Sequence, residues 1–274
     1  MQRKRRCRAE VDNRSGTMRP CAPGMRHSLL LAGLLWLSTG AQAAPQLTIL
    51  TEHSPPASML DNGAIGGAGN VIGNGSDKVR EVMARAGVTY TKEIQPWKRA
   101  YTAALERPDT CVFSTTRLPE RERLFKWIGP TDSADWILLG RADRNYALKS
   151  LDDARKLRIG TYNGDARDAY LRERGFQVDP AQSDVLNPRK LLEGRIDLWA
   201  ASMRRGSPVL QQNGWAGRIV PVLVFRQVDV YLACHRSVSD ALVQKMNAAV
   251  AAMQRDGTAR RIEQRYEAWQ APVK

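Results

Sequence analysis

Histidine is scarce, with three in 274 residues, at His27, His53 and His235. None stands in a spacing such as H-E-x-x-H, so the sequence offers no zinc-hydrolase motif. Four cysteines, two of them (Cys7 and Cys21) within the first 43 residues, exclude a disulfide-rich scaffold. No G-x-S-x-G elbow occurs, which removes the α/β-hydrolase type of nucleophile. A glycine-rich stretch runs from Gly63 to Gly75, but no G-x-G-x-x-G lies in register between a strand and a helix and no G-K-[ST] follows. Nucleotide binding of the familiar kinds is therefore not indicated. Those glycines serve turns and close approach of backbone. The basic residues are scattered, with no stripe interleaved with aromatics, which argues against nucleic acid as a partner. There is no internal repeat and no low-complexity tract.

The longest strongly apolar run, Leu29 to Leu37, has nine residues, far fewer than the roughly 20 needed to cross a bilayer. Arg26 and His27 precede it, and Ser38-Thr39-Gly40 and Ala41-Gln42-Ala43 follow. That is the layout of a secretory signal peptide cut after Ala43, with small residues three and one before the cut. Residues 1–43 are therefore expected to be a leader. Met25 is an alternative start, which would make residues 1–24 untranslated or an extended n-region. Removing the leader takes away eight basic and two acidic residues and lowers the formal charge from +14 to +8. Moderate basicity favours an anionic ligand or surface without naming one.

The remaining chain alternates short strands and helices. Gln46 to Thr51 reads as a first strand ending in Glu52, His53, Ser54 and a Pro55-Pro56 pair. A helix follows, with Ser76 as its cap and Gly87 as its stop. Thr89 to Ile94 is a strand, and Gln95-Pro96 opens a helix whose apolar face is Trp97, Ala100, Tyr101, Ala104 and Leu105. Trp97 either packs in the core or stacks on a ligand at the helix start. Cys111 to Phe113 is a strand, and Trp136 to Gly140 another. Ser150 with Asp153 approximates a capping box. Leu157 to Thr161 is a strand, after which Asp165 sits where the cap of helix Ala166 to Arg174 belongs. Asn187-Pro188 opens a short helix, and Ser207-Pro208 another that ends near Gly214. Ile196 to Ala200, Ile219 to Val224 and Gln227 to Ala233 read as strands. Ser239 caps the longest helix, and a final one runs from Thr258 through Ile262, Tyr266 and Trp269. The pattern predicts an α/β fold with sheets covered on both sides, and a break near residues 141–150 predicts a second lobe.

The densest chemistry lies in Phe113 to Pro130, F-S-T-T-R-L-P-E-R-E-R-L-F-K-W-I-G-P. Hydroxyls at Thr115 and Thr116, guanidiniums at Arg117, Arg121 and Arg123, and the aromatics Phe125 and Trp127 crowd between ordered elements. The stretch reads either as a binding rim or as a charged turn before a buried strand. Glu52 with His53 is the one acid–base pair on offer, and it lacks an evident nucleophile beyond Ser114 or Thr115. No catalytic signature emerges, which leaves a ligand cleft between lobes.

Three motifs in order carry a resemblance: P-E-R at Pro119 to Arg121, G-R-I-D at Gly194 to Asp197, and D-G-T-A-R-R-I-E-Q-R-Y at Asp256 to Tyr266. With the leader, they make residues 46–270 resemble the periplasmic solute-binding proteins of family 3, the amino-acid-type components of ABC transporters. The resemblance implies a two-lobed periplasmic binding protein (type II) fold, with a two-stranded hinge and an interlobe cleft. Its first lobe would hold residues 44–138 and return over 229–274, and residues 139–228 would form the second lobe with the hinge crossings. Both Cys111 and Cys234 then fall in the first lobe or its hinge edge, where they form a disulfide or remain two thiols.

The resemblance also implies roles. Arg121 of P-E-R matches the arginine that clamps a ligand carboxylate, with Arg117 and Arg123 as competing cations and Thr116 beside them. Gly164 and Asp165 match the helix-start site of the second lobe, with Tyr162 placed to stack. Ser202 stands where an aspartate commonly holds the ligand amino group, Leu118 replaces the threonine before P-E-R, and Asp165 places a negative charge where a carboxylate would approach. Glu52 and Trp97 complete the expected ligand set. The implied protein is an exported, monomeric receptor without cofactor or catalytic activity. It would sit in the periplasm and hand a small polar solute to a membrane permease or signal to a membrane sensor; an exported enzyme on this scaffold is the remote alternative.

Overall fold

The computed structural model describes residues 46–64, 69–203, 210 and 214–267. The leader, part of the glycine-rich stretch, the Ser207-Pro208 helix start and Trp269 lie outside them. An eight-stranded sheet forms the frame, in the order β4-β1-β5-β10-β6-β9-β7-β8. Here β1 is Gln46–Thr51, β4 Thr89–Ile94, β5 Thr110–Thr116 and β6 Lys126–Arg141; β7 is Ile159–Tyr162, β8 Val178–Ala181, β9 Leu198–Met203 and β10 Ile219–Cys234. Two-residue strands, β2 (Met59–Leu60) and β3 (Val71–Ile72), pair separately across the glycine-rich stretch.

The sequence predicts short strands at Trp136 to Gly140, Ile219 to Val224 and Gln227 to Ala233. The structure instead builds two strands of sixteen residues each, β6 and β10. Polar residues inside them hide this continuity from a periodicity argument, because the central residues of both strands are mostly half-buried or exposed. Gly129-Pro130 lies inside β6.

These two strands are antiparallel from Lys126 opposite Cys234 to Arg141 opposite Ile219. At one end β10 also pairs with β5, and at the other β6 also pairs with β9. Between these flanks, Ser133 and Ala134 pair only with Asp229 and Val228 among the described residues. The two lobes are thus joined by a two-stranded crossing, the narrowest and least braced part of the sheet.

Each end has its own apolar packing. Leu47, Ile49, Val79, Met83, Phe113, Ile128, Met246 and Ile262 form one core, with helices α1 (Asn74–Ala86), α5 (Asp240–Arg255) and α6 (Thr258–Glu267). Helix α2 (Trp97–Glu106) packs a second cluster on the other face. Beyond the crossing, two clusters pack about Leu138, Leu139, Ile159, Leu171, Leu198 and Trp199, with α3 (Ala166–Glu173) and α4 (Asn187–Leu192). Leu118, Trp136, Ala166 and Val228 form a fifth cluster at the crossing itself.

Local signals behave as their chemistry requires. Asp165 accepts from the Arg167 backbone N–H, Ser239 accepts from Leu242 N, and Ser150 forms its capping box with Asp153. Ser76 does not cap α1. That helix begins at Asn74, and the Ser76 hydroxyl donates to the Val71 carbonyl instead. Gly73 shows why glycine is needed there: its φ is 125° and a Cβ would stand 2.4 Å from the Ala57 carbonyl oxygen. Asn187 is the first residue of α4, and its buried side chain donates to Thr161 O and to Asp184. Cys111 and Cys234 face each other on β5 and β10 and are joined by a disulfide.

Candidate functional site

The ends of β1, β5 and β7 and the starts of α2 and α3 converge at the contact between the lobes. Glu52 immediately follows β1, Trp97 opens α2, and Arg121 lies in the 3-10 turn Pro119–Leu124 after β5. From the other lobe, Tyr162 ends β7, and Gly164 and Asp165 make the turn into α3. Among the described residues, three side-chain hydrogen bonds cross. The Tyr162 hydroxyl donates to Glu52 Oε1 at 2.8 Å, and the Trp97 indole N–H donates to the Gly164 carbonyl at 2.9 Å. Arg121 donates to the same carbonyl at 3.4 Å. Gly164 has φ of 78°, the left-handed conformation that glycine adopts without a Cβ penalty.

Arg121 is 7% exposed. Its guanidinium lies over the Tyr101 ring at 4.8 Å, and Tyr101 is braced in turn by Trp97 and Phe125, with ring centroids 5.8 and 5.2 Å away. Among the described residues no carboxylate pairs with it, and its NH1 is buried without a hydrogen-bond partner. A buried guanidinium with a free nitrogen is costly unless something else takes the bond. Arg117, the competing candidate, points elsewhere. It pairs with Glu122 through two nitrogens at 2.7 and 2.5 Å, and stands over Tyr231 and Trp127 at 5.3 and 5.6 Å. It lines a separate cavity of about 340 Å³ with Glu122, Arg226, Asp229 and Tyr231.

Thr116 ends β5, buried and paired with Val230. Just before it, Ser114 has φ of 60°, an unusual conformation for a non-glycine residue, close to where the β5–β10 register slips between Tyr231 and Ala233. Ser202 is exposed on β9 opposite Trp136. Among the described residues no hydrogen bond ties it to the others. Leu118, in place of a threonine, buries itself in the cluster at the crossing.

The second lobe supplies a charged group that sequence reasoning passed over. Arg167, 4% exposed, donates from Nε to Asp165 at 2.5 Å and lies 3.6 Å from Asp184. Its guanidinium stands over the Tyr162 ring at 5.4 Å. Asp184 also accepts from Trp199 Nε1 at 2.8 Å and from Asn187 at 3.1 Å. Asp165 therefore does not present the bare negative charge expected of it, because Arg167 pairs with it and its Oδ2 accepts both the Arg167 Nε–H and the backbone N–H that caps α3. The one sequence clue to Arg167 was its place two residues after that cap. Asp184 carried none, since it sits in the short turn Asp184–Leu186.

Burial dominates the titration of this group. It pushes Glu52 up from 4.5 to about 8, with Asp184 and Asp165 adding to the rise, while the Tyr162 hydrogen bond and Arg167 oppose it. Tyr162 is held well above its ordinary value by burial and by the neighbouring acids. Burial raises Asp184 as well, and lowers His53. For Arg167, burial acts downward but Asp165 and Asp184 more than offset it. No group of three or more His, Cys, Asp or Glu side chains among the described residues is placed to hold a metal.

Comparison with known proteins bears on the family and the fold. The family model for bacterial extracellular solute-binding proteins, family 3, matches residues 47–268. No curated protein sequence matches the chain. Among solved structures, a histidine kinase sensor domain with similarity to periplasmic binding proteins aligns with TM-score 0.73 at 18% identity, covering 84% of this chain and 99% of that one. An ancestral arginine-binding protein bound to glutamine aligns with TM-score 0.69 at 20% identity, covering 82% and 99%. The arginine-, lysine-, histidine-binding protein ArtJ from Geobacillus stearothermophilus aligns with TM-score 0.69 at 16% identity, covering 82% and 96%. These likenesses are of fold.

Proposed function

The chain belongs to the bacterial extracellular solute-binding proteins of family 3, and on that footing we propose that it captures a small polar solute between its lobes, with Arg121 taking an anionic group of that solute. The observation that carries this reading is the Arg121 guanidinium itself: buried, ordered on the Tyr101 ring, without an acidic partner among the described residues, and with NH1 unbonded. A carboxylate at that nitrogen would form the two-pronged, charge-assisted contact for which arginine is suited. Trp97 and Tyr162 would wall the ligand, Thr116 would stand at the floor, and Gly164 and Asp165 would form the opposite lip. Glu52 lies at the far end. Ser202 would join only if the second lobe shifted on the crossing.

In this reading the protein acts in the periplasm as a monomer, without a cofactor and without catalysis, and presents its solute to a membrane permease. Amino acids are the first ligands to try, since the structural neighbours include proteins described as binding arginine, lysine, histidine and glutamine. A second reading, a binding protein that signals to a membrane receptor, draws on the likeness to a kinase sensor domain. The two lobes would move about the Ser133–Ala134 and Val228–Asp229 crossing, with residues 135–138, which pair with β9, travelling with the second lobe.

Native mass spectrometry of the protein purified from its own exported compartment tests the proposal. The expected result is a retained small molecule with an acidic group, lost in Arg121→Ala. A retained molecule held as firmly by Arg121→Ala would overturn the assigned role.

A further inference from the structure

Glu52, Asp165, Asp184 and Arg167 influence one another across the contact between the lobes. Three carboxyl groups and one guanidinium leave an excess of two negative charges if every acid is ionised. Burying uncompensated charge is strongly unfavourable. Asp165 and Asp184 share Arg167, whereas among the described residues the Glu52 carboxyl receives only the neutral Tyr162 hydroxyl, at 2.8 Å. Glu52 is therefore the member whose ionisation the closed arrangement tolerates least.

We propose that Glu52, enclosed against Tyr162 and the Asp165–Arg167–Asp184 group, is a proton-operated latch between the lobes: its neutral carboxyl is tolerated in the contact, and its ionisation, which the Tyr162 hydroxyl offsets only in part, favours their separation. This goes beyond the ligand reading and does not depend on it. The groups facing Glu52 are Tyr162 from β7, Asp165 and Arg167 from the start of α3, and Asp184 from the turn before α4. His53 follows it in the chain and is held toward its neutral form by burial. Tyr162 keeps its proton throughout, since its own titration lies well above 10. Separation would return Glu52 to water and to its ordinary value near 4.5, against about 8 in contact.

The sign follows from that difference. The contact form binds the proton more tightly, so closure is strongest below pH 4.5 and weakens as pH rises toward 8. The closed-to-open ratio falls by at most about tenfold per pH unit within that window and levels off above it.

Fluorophores attached at Glu106→Cys on α2 and Glu173→Cys on α3, with the Cys111–Cys234 bond intact, report the distance between lobes. Energy transfer is measured from pH 5 to pH 9 at constant ionic strength without added solute. The mean distance is expected to lengthen between pH 5 and 8 and stay level above, while the same labels in Glu52→Gln show no pH dependence. If Glu52→Gln fails to fold, Tyr162→Phe serves instead. Losing the hydroxyl that holds Glu52 down should carry the level region to higher pH. A distance that is constant in the parent protein, an equal response in Glu52→Gln, or an unmoved profile in Tyr162→Phe overturns the latch.

Discussion

Arg167 reaches back two residues to pair with Asp165 at 2.5 Å, and both side chains are buried where the lobes meet. A cap and its counter-ion are thus built from a single turn of chain. Removing the cation alone leaves the buried Asp165 and the half-buried Asp184 without their shared partner. Arg167→Met is expected to lower unfolding free energy by about 3–5 kcal/mol, the usual consequence of breaking a buried pair from one side. Asp165→Asn in the same background should recover part of that loss, because the amide can still cap without carrying charge. Urea titrations of the two variants check this, and equal midpoints for the parent and Arg167→Met would show the pair to be energetically idle.

Arg121 and Arg117 lie four residues apart and should behave oppositely. Arg121→Ala is expected to weaken binding of a carboxylate solute by at least about 2 kcal/mol, some thirtyfold, as for a charge-assisted contact in a desolvated site. Arg117→Ala should change affinity by less than about 1 kcal/mol, since its exposed partner Glu122 already occupies it. Calorimetry on both variants with the solute recovered from the native protein separates the two arginines. A larger loss in Arg117→Ala would reverse the assignment.

Much of the fold was written locally. Alternating strands and helices, the Asp165 and Ser239 caps and the Ser150–Asp153 box depend on neighbours within a few residues, and sequence shows such neighbours directly. The length of β6 and β10 did not show, because it comes from pairing between residues some ninety positions apart, with exposed polar residues at the crossing, Ser133 and Asp229, that break the expected alternation. Site legibility followed the same division. Arg121 stood out through P-E-R, whereas Arg117 and Arg121 look alike until the fold turns one toward Glu122 and the other onto Tyr101. Arg167 and Asp184 carry no motif and lie on or beside short elements. Only tertiary packing against Tyr162 and Trp199 buries Arg167 and half-buries Asp184.

Cys111 and Cys234 join neighbouring strands across a sequence separation of 123 residues. A cross-link closing so long a loop restricts the unfolded chain severely, a stabilisation of about 4–5 kcal/mol on the chain-entropy account. The double variant Cys111→Ala/Cys234→Ala should therefore unfold at clearly lower urea concentration. Reductant should move the parent in the same direction and leave the variant unaffected. A reductant effect that persists in the variant would trace the loss to something other than this bond.

Lys78 is the least expected buried cation, at 1% exposure on α1. Its ammonium donates to Glu263 on α6 at 2.5 Å and to the Thr131 carbonyl on β6 at 2.9 Å, and lies 3.4 Å from Asp132. One residue earlier, Asp77 accepts from the Tyr266 hydroxyl at 3.0 Å and from Arg265 at 3.3 Å. Helix α6 is thus fastened by charge and hydrogen bonding as well as by the buried Ile262 side chain, and the same lysine touches β6 beside the crossing. Lys78→Met preserves much of the side-chain volume but removes the cation between two carboxylates. It is expected to cost about 3 kcal/mol or more, and the loss should appear first in α6, whose other buried apolar anchoring is slight. Hydrogen exchange followed by mass spectrometry should show α6 amides losing protection while β1 and β5 keep theirs. Uniform loss across the sheet would mean that Lys78 supports the whole lobe rather than the attachment of its last helix.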